Sequence, residues 1–277
     1  MMLIEQNLAI TEYHFHYKAA GNRRGQPLLF LHGFMGDCQE FDNILPYFWD
    51  DFYCVVIDLP GHGQTEVMGD DSHYGMEKTA IALIDFLDYF QLSKIGLIGY
   101  SMGGRLALYL ALHFPEKFSH LILESASPGL KSAIARKKRI EHDEQWIKKL
   151  KNENFSEVLS EWYQQSLFDS LRKLPNFPDL FARRLGNPPE KLAKSLQYLG
   201  TGQQISLWEK LPQGSVPLLL LVGGQDHKFV AINQKIAVDY PQAQLQVFPH
   251  CGHNLHLEDS HHFALVLRQF LLNQNKP

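Results

Sequence analysis

The stretch Ile95–Leu110, IGLIGYSMGGRLALYL, limits the possible folds more sharply than any other part of the chain. An apolar, strand-like run leads through Gly99-Tyr100-Ser101-Met102-Gly103 into apolar residues at helical spacing. A G-x-S-x-G pattern in this setting has a mechanical reason. The turn is strained, strand and helix approach closely, and the Ser101 hydroxyl is pushed out above the strand end. The bare pattern arises by chance in roughly one chain in ten of this length. The flanking strand and helix therefore carry the inference, with a plain strand-to-helix turn as the alternative.

The rest of the chain repeats that alternation. EYHFHYKAAG puts Tyr13, Phe15 and Tyr17 on one face, as an early edge strand would. Pro27–Phe34 (PLLFLHGF), FYCVVIDLPGHGQT, KIGLIGYS and SHLILESASPG read as strands buried on both faces. Met76–Phe90 and MGGRLALYLALHF read as helices packed on them. From about Leu130 to Leu211 strand-like runs vanish. Charged helical stretches with Trp146, Trp162 and Trp208 take over, broken by Pro175, Pro178, Pro188 and Pro189. Sheet signals resume with VPLLLLVGGQD and AQLQVFPHCGHN, and SHHFALVLRQFLLNQ closes as an amphipathic helix. The expected architecture is an α/β core over residues 1–129 and 212–277, a mostly parallel sheet covered by helices on both faces. Residues 130–211 are expected to be a helical lid inserted after the fourth major strand. In such sheets the chemistry sits at the C-terminal strand ends, where Gly33-Phe34, Ser101, Glu124–Pro128, Asp226 and His253 all fall.

Bulk properties exclude several partners. With 45% hydrophobic and 20% charged residues, the chain fits an ordinary globular protein. A net charge of -4 offers nothing to nucleic acid or an anionic membrane surface. No apolar run approaches the ~20 residues that span a bilayer, and the N-terminus lacks the basic and apolar regions of a signal peptide. Cys38, Cys54 and Cys251 show no C-x-x-C spacing, which argues against a disulfide framework or a zinc site. A cytoplasmic protein with no metal and no cofactor is expected.

Serine is a poor nucleophile and a poor base at its ordinary pKa. Ser101 therefore needs a histidine, and the histidine needs an orienting carboxylate. This architecture runs in the order serine, acid, histidine, and Asp226 and His253 follow Ser101 in that order at strand ends. His250 and His227 compete for the histidine role, and Asp226 is also placed to cap the helix after it. Developing negative charge on oxygen needs N–H donors. The backbone groups of Met102, at a helix N-terminus, and Phe34, in the HGF loop, are the candidates. An ordinary strand-end turn is the alternative for LHGF. Arg105, one helical turn after Ser101, is a cation suited to an anionic substrate, or else half of a surface salt bridge.

LHGFMGD, DLPGHG, GYSMGG, GGQD and CGHN, in that order across nearly the whole chain, resemble the α/β-hydrolase superfamily. Membership leaves the reaction open, since esterases, C–C bond hydrolases, dehalogenases, lyases and receptors share the fold. Haloalkane dehalogenases carry aspartate, not serine, at the apex. GYSMGGR, LESASPGL, ARKKRIEHDEQW and EWYQQSLF are further similar to the 2-succinyl-6-hydroxy-2,4-cyclohexadiene-1-carboxylate synthase family of menaquinone or phylloquinone biosynthesis. Ser166 departs from a proline common in that family.

That resemblance implies a lyase eliminating pyruvate from 2-succinyl-5-enolpyruvyl-6-hydroxy-3-cyclohexene-1-carboxylate, with Ser101 acting as a base. A small polycarboxylate partner calls for planar guanidinium groups. Arg105 and Tyr100 are the expected contacts from the core. Arg136 or Arg139, Arg184 of the Arg183-Arg184 pair, and Trp162 as an apolar wall are expected from the lid. A solvated helical face is the alternative for ARKKR, and lid packing for Trp162. For the whole protein, the alternatives are a carboxylesterase or C–C bond hydrolase using the same triad, and a ligand-binding receptor with a vestigial one.

Overall fold

The structure, a computed structural model, describes residues 3–273. Among them nine strands form one sheet: β1 (Ile4–Ile10), β2 (Tyr13–Gly21), β3 (Gln26–Leu31), β4 (Phe52–Ile57), β5 (Glu66–Val67), β6 (Ile95–Tyr100), β7 (Phe118–Glu124), β8 (Leu218–Gly223) and β9 (Ala243–Phe248). Their spatial order is β1-β2-β4-β3-β6-β7-β8-β9, with β5 paired to β2. The pairings of β2 are antiparallel; every pairing from β4 across to β9 is parallel. Parallel strands need crossovers, and from β4 onward helices supply them: α1 (Met76–Tyr89), α2 (Met102–His113), α3 (Ala133–Asn152), α4 (Phe155–Tyr163), α5 (Phe177–Arg184), α6 (Pro189–Leu199) and α7 (His227–Asp239); α8 (Leu255–Glu258) and α9 (Ser260–Asn273) follow β9.

The continuous apolar strands have the physical reason anticipated from their sequence. Side chains alternate across a strand, and both faces of this sheet are covered. Leu29 and Leu31 of β3 join one core with Leu97, Leu121, Leu83, Leu106 and Ile236. Leu28 and Phe30, their neighbours, join the other with Ile98, Ile122, Phe263 and Leu267.

One expectation is corrected. β2 does bury Tyr13, Phe15 and Tyr17 together, but it is not an edge strand. β1 pairs along its whole length, from Ile4 opposite Ala19 to Ile10 opposite Tyr13. β1 is mostly exposed or half-buried, so its sequence shows no strong apolar alternation.

Between β7 and β8 the described chain contains no strand. Helices α3 to α6 there bury a cluster of their own, with Trp146, Leu150, Leu159, Tyr163, Leu192 and Leu196 packed over Met35 of the core. Leu207 and Leu211 already belong to the main core, so the chain rejoins the sheet layer slightly before residue 212. No described helix is long and apolar enough to cross a membrane. The three cysteines are buried and unpaired.

A close join lies between β3, β6 and α2. A Cβ on Gly99 would come within 2.6 Å of the Gly103 carbonyl oxygen, and one on Gly103 would run into the carbonyl of Leu31. Neither neighbour is a flexible side-chain end. Gly103→Ala is therefore expected to cost about 1–3 kcal/mol by overpacking, read as a lower urea midpoint at unchanged m-value.

Candidate active site

Ser101 sits at the end of β6 and caps α2 with φ 49 and ψ -104, a left-handed conformation that L-residues rarely adopt. Its backbone N–H donates to the Glu124 carbonyl on the neighbouring strand at 2.9 Å, and its carbonyl accepts from Arg105 N–H. The turn is thus held from both sides, and the hydroxyl stands clear of the sheet.

Ser101 Oγ lies 3.0 Å from His253 Nε2, and His253 Nδ1 lies 2.7 Å from Asp226 Oδ2. Three separate strand ends, after β6, β8 and β9, meet in this line. Asp226 also accepts from Phe229 N–H through its other oxygen at 3.2 Å. It caps α7 and faces the histidine at once, so its two readings are compatible. His227 lines the cavity, and His250 is exposed with its carbonyl accepting from Gln225. Neither takes the position of His253.

The His253 loop has a support that its sequence did not reveal. Glu258 accepts from the N–H of Gly252 at 2.6 Å and of Asn254 at 3.1 Å. One carboxylate therefore grips the residues on both sides of the histidine.

The loop after β3 is set by His32. Its Nε2 accepts from Leu59 N–H at 2.9 Å, which leaves Nδ1 to donate to the Gly33 carbonyl at 2.7 Å. Complete burial lowers its pKa, so the ring stays neutral in that tautomer. The Gly103 N–H donates to the His32 carbonyl, tying this loop to the start of α2. Among the described residues no backbone carbonyl takes up the N–H of Phe34 or Met102.

A cavity of about 1070 Å³ opens above Ser101 and His253. The chain as a whole carries -4, yet Arg105, Lys131, Arg139, Lys173, Arg184 and Lys228 line this cavity against only Asp169 and Asp226. The lysines were missed in the sequence because they are scattered through loops and helix ends.

Arg105 is buried and is no surface ion pair. It donates to Gln204 Oε1 and to the Leu199 carbonyl, and no described carboxylate lies within 4.0 Å of it. Burial, then the nearby charge of Arg139, brings its pKa down to about 10, which still leaves it cationic at neutral pH. Arg139 also faces the cavity and is held by Asp143 at 2.7 Å.

Arg136 is not brought to the site. Its guanidinium binds the carbonyls of Leu130 and Lys131, at 3.0 and 3.1 Å, where the chain enters α3. The expectation for it is corrected on that ground.

Tyr100 lines the cavity with its ring between those of His253 and His256. Burial, reinforced by Glu124 and Glu40, pushes its pKa up, so it remains a phenol able to donate. Trp162 does two jobs. It packs on Trp146, 4.9 Å between ring centroids, and it meets Phe34 of the loop after β3 at 5.1 Å while lining the cavity.

Arg184 reaches the cavity from α5 and pairs with buried Glu40, while its Nε and Nη1 are buried with no partner. Behind Glu40 lies a chain of buried charge. His256 stands between Glu124, 2.6 Å from Nδ1, and Glu40, 3.2 Å from Nε2. Burial works against the imidazolium, but the two carboxylates outweigh it and push its pKa up to about 9. Burial likewise opposes the Glu40 carboxylate, yet Arg184 and then His256 hold its pKa well below the usual range. Residues so far apart in sequence leave no local pattern, which is why this network went unread.

Glu5, His16 and Cys38 bring donor atoms within 4.8 Å of one another, but none lines the cavity. His16 Nδ1 is at hydrogen-bond distance, 2.7 Å, from Asp58, and burial pushes the Cys38 thiol far up. These residues act as a hydrogen-bonded strap between β2 and the loop after β3.

The fold and its serine turn define an α/β hydrolase fold protein, and the model of that family matches residues 26–260. The chain is 35% identical to the 2-succinyl-6-hydroxy-2,4-cyclohexadiene-1-carboxylate synthase of Enterobacter sp. (strain 638), over 90% of this chain and 94% of that one. It is 32% identical to the synthase of the same name from Serratia proteamaculans, over 89% and 93%. The solved structure of MenH from S. aureus superposes with a TM-score of 0.89 at 35% identity, over 96% of this chain and 100% of that one. Within the α/β hydrolase fold, the chain belongs to the 2-succinyl-6-hydroxy-2,4-cyclohexadiene-1-carboxylate synthase family.

The buried imidazolium makes stability depend on pH. The pKa of His256 is about 9 when folded against 6.5 as its ordinary value. Its contribution is complete below about 6.5 and is lost as pH rises through 9. Thermal unfolding is expected to move to lower temperature between neutral pH and pH 9. His256→Gln should start lower and lose that slope.

Proposed function

We propose that Ser101, His253 and Asp226 form a base that removes a ring proton from a small polycarboxylate, with the N–H groups of Phe34 and Met102 stabilising the enolate. As a member of its family the chain is a lyase of menaquinone biosynthesis. It eliminates pyruvate from 2-succinyl-5-enolpyruvyl-6-hydroxy-3-cyclohexene-1-carboxylate. The observation that carries the substrate class is Arg105: a buried cation one helical turn from Ser101, in a basic cavity, with no carboxylate partner among the described residues.

The two ring names define the electron flow. A 3-ene becomes a 2,4-diene, so the proton leaves C2, beside the succinyl carbonyl, and the oxygen leaves C5. His253, oriented by Asp226, accepts the Ser101 proton. The Ser101 oxygen takes the C2 proton, and the electron pair passes to the succinyl carbonyl oxygen as an enolate. This charge faces the two N–H donors. On collapse the pair forms the C2=C3 bond, the C3=C4 pair moves to C4=C5, and the C5–O bond breaks. The leaving enolpyruvate takes up the proton held by His253 and tautomerises to pyruvate. Ser101 keeps the proton it took from C2 as its hydroxyl hydrogen, and His253 is neutral again, so the triad is back in its starting state.

The carboxylates are assigned to the cations. Arg105 and Arg139 stand together on one side, and Arg184, held by Glu40, lines the cavity near the Tyr100 phenol. Trp162 forms the apolar wall against Phe34. We further propose that residues 130–211 act as a cap over a core of residues 1–129 and 212–277, because α3 to α6 bring Arg139, Trp162 and Arg184 over the serine.

The test is pyruvate release from the precursor, generated in place by the enzyme of the preceding step, with a p-nitrophenyl ester as control. Rapid release without added metal and slow ester turnover are expected. Ser101→Ala should lower kcat on the order of 10³-fold, as loss of a positioned base does. Arg105→Ala should raise KM about 10- to 100-fold, the equivalent of one charge-assisted contact. Good ester turnover with no pyruvate would overturn the reading.

A further inference from the structure

Arg105 is anchored in an unusual way for a buried guanidinium. Its Nη1 donates to Gln204 Oε1 at 3.1 Å and its Nη2 to the Leu199 carbonyl at 2.9 Å. Both acceptors are neutral, and both come from the end of α6 and the segment just after it. Buried arginines are ordinarily matched by a carboxylate, because an uncompensated charge in the interior is costly. The acid whose field reaches Arg105 is Asp143, and its carboxylate is already held by Arg139. Gln204 is itself only 3% exposed, and its Nε2 is buried without a partner. Its side chain lies against Gly129, at 3.2 to 3.4 Å from where a Cβ there would stand. A polar group is thus buried at some cost for one contact, the one to Arg105.

A glutamate would fit the same space and make a stronger bond. It would also cancel the charge that the cavity presents. We propose that Gln204 is a positioning residue for the reaction: its amide oxygen orients Arg105, and its neutrality leaves the guanidinium charge free for a substrate carboxylate. Specificity for an anion is then set from outside the cavity, since Gln204 does not line it. This proposal rests on the polycarboxylate reading of the cavity, and it predicts that stability and binding move in opposite directions.

The test compares Gln204→Glu with Gln204→Met in the full chain. Thermal unfolding is followed with and without succinate, a simple dicarboxylate probe, and pyruvate release is followed at steady state. Gln204→Glu should unfold at a higher temperature than the parent without ligand and lose most of the succinate-induced shift. Its KM should rise about tenfold or more with a smaller change in kcat, as a like charge beside the anion requires. Gln204→Met removes the orienting acceptor without adding charge, so it should unfold earlier and keep a reduced succinate shift, larger than that of Gln204→Glu. The proposal is overturned if Gln204→Glu fails to fold, if its KM stays within about twofold of the parent, or if both variants lose activity alike. If the parent itself releases no pyruvate, the assigned reaction is wrong and succinate alone decides. A shift kept in the parent and, reduced, in Gln204→Met but lost in Gln204→Glu still supports the role of Gln204. A shift absent from the parent, or unchanged in Gln204→Glu, overturns it.

Discussion

The close approach of β3, β6 and α2 is the constraint on which the site depends. Ser101 holds a backbone conformation that costs energy, and it can do so only because its neighbours leave the chain no room to relax. Gly99 and Gly103 let the helix backbone touch both strands. The same contact brings the His32 carbonyl onto Gly103 N–H, so the loop carrying Phe34 and the turn carrying Ser101 are fixed by one join. Serine hydroxyl and N–H donors are therefore positioned together, before any substrate arrives, which is what electrostatic preorganisation requires.

A second layer of control is electrostatic and lies beneath and around that join. Arg184 is matched by Glu40, which is backed by His256 and Glu124, giving two cations and two anions in a buried row. Arg105, by contrast, meets only neutral acceptors. The two arginines are both buried and both face the cavity, yet their charges are treated oppositely. The first is locked in place by a network that joins α5 to the sheet. The second retains a net charge. The cavity wall thus holds one guanidinium fixed by a carboxylate and one with only neutral acceptors.

Much of this was legible in the residues. The apolar runs at β3, β4, β6, β7 and β8 declared a sheet covered on both faces, because period and burial are local properties. Ser101, Asp226 and His253 could be put in line because each follows a strand, and strand ends converge in a parallel sheet. β1 escaped notice because its solvent-facing side chains blur the alternation. Helical spacing placed Arg136 and Arg139 near one face, but only one reaches the cavity. The other is drawn back to the carbonyls at the head of its own helix, a contact that spacing alone does not reveal. Gln204, Glu258 and the Glu40–His256–Glu124 row were beyond reach for a different reason. The partners of Gln204 and of the row lie in remote segments, while those of Glu258 are near in sequence but are backbone N–H groups, which no residue pattern marks.

The serine turn, the histidine and the aspartate are shared with hydrolases, so the line Ser101–His253–Asp226 cannot by itself choose between attack on a carbonyl and removal of a proton. That choice depends on which substrate atom is presented to Ser101 Oγ, and presentation is a matter of charge. Six cations against two acids line the cavity of a chain whose overall charge is negative. Carboxylates anchored at Arg105, Arg139 and Arg184 would fix the ring between them, and the hydroxyl then meets a C–H rather than an ester carbon. Effective concentration and orientation are worth several orders of magnitude in rate. On the proposed reading, the helices that bring Arg139 and Arg184 to the cavity determine the reaction as much as the serine does.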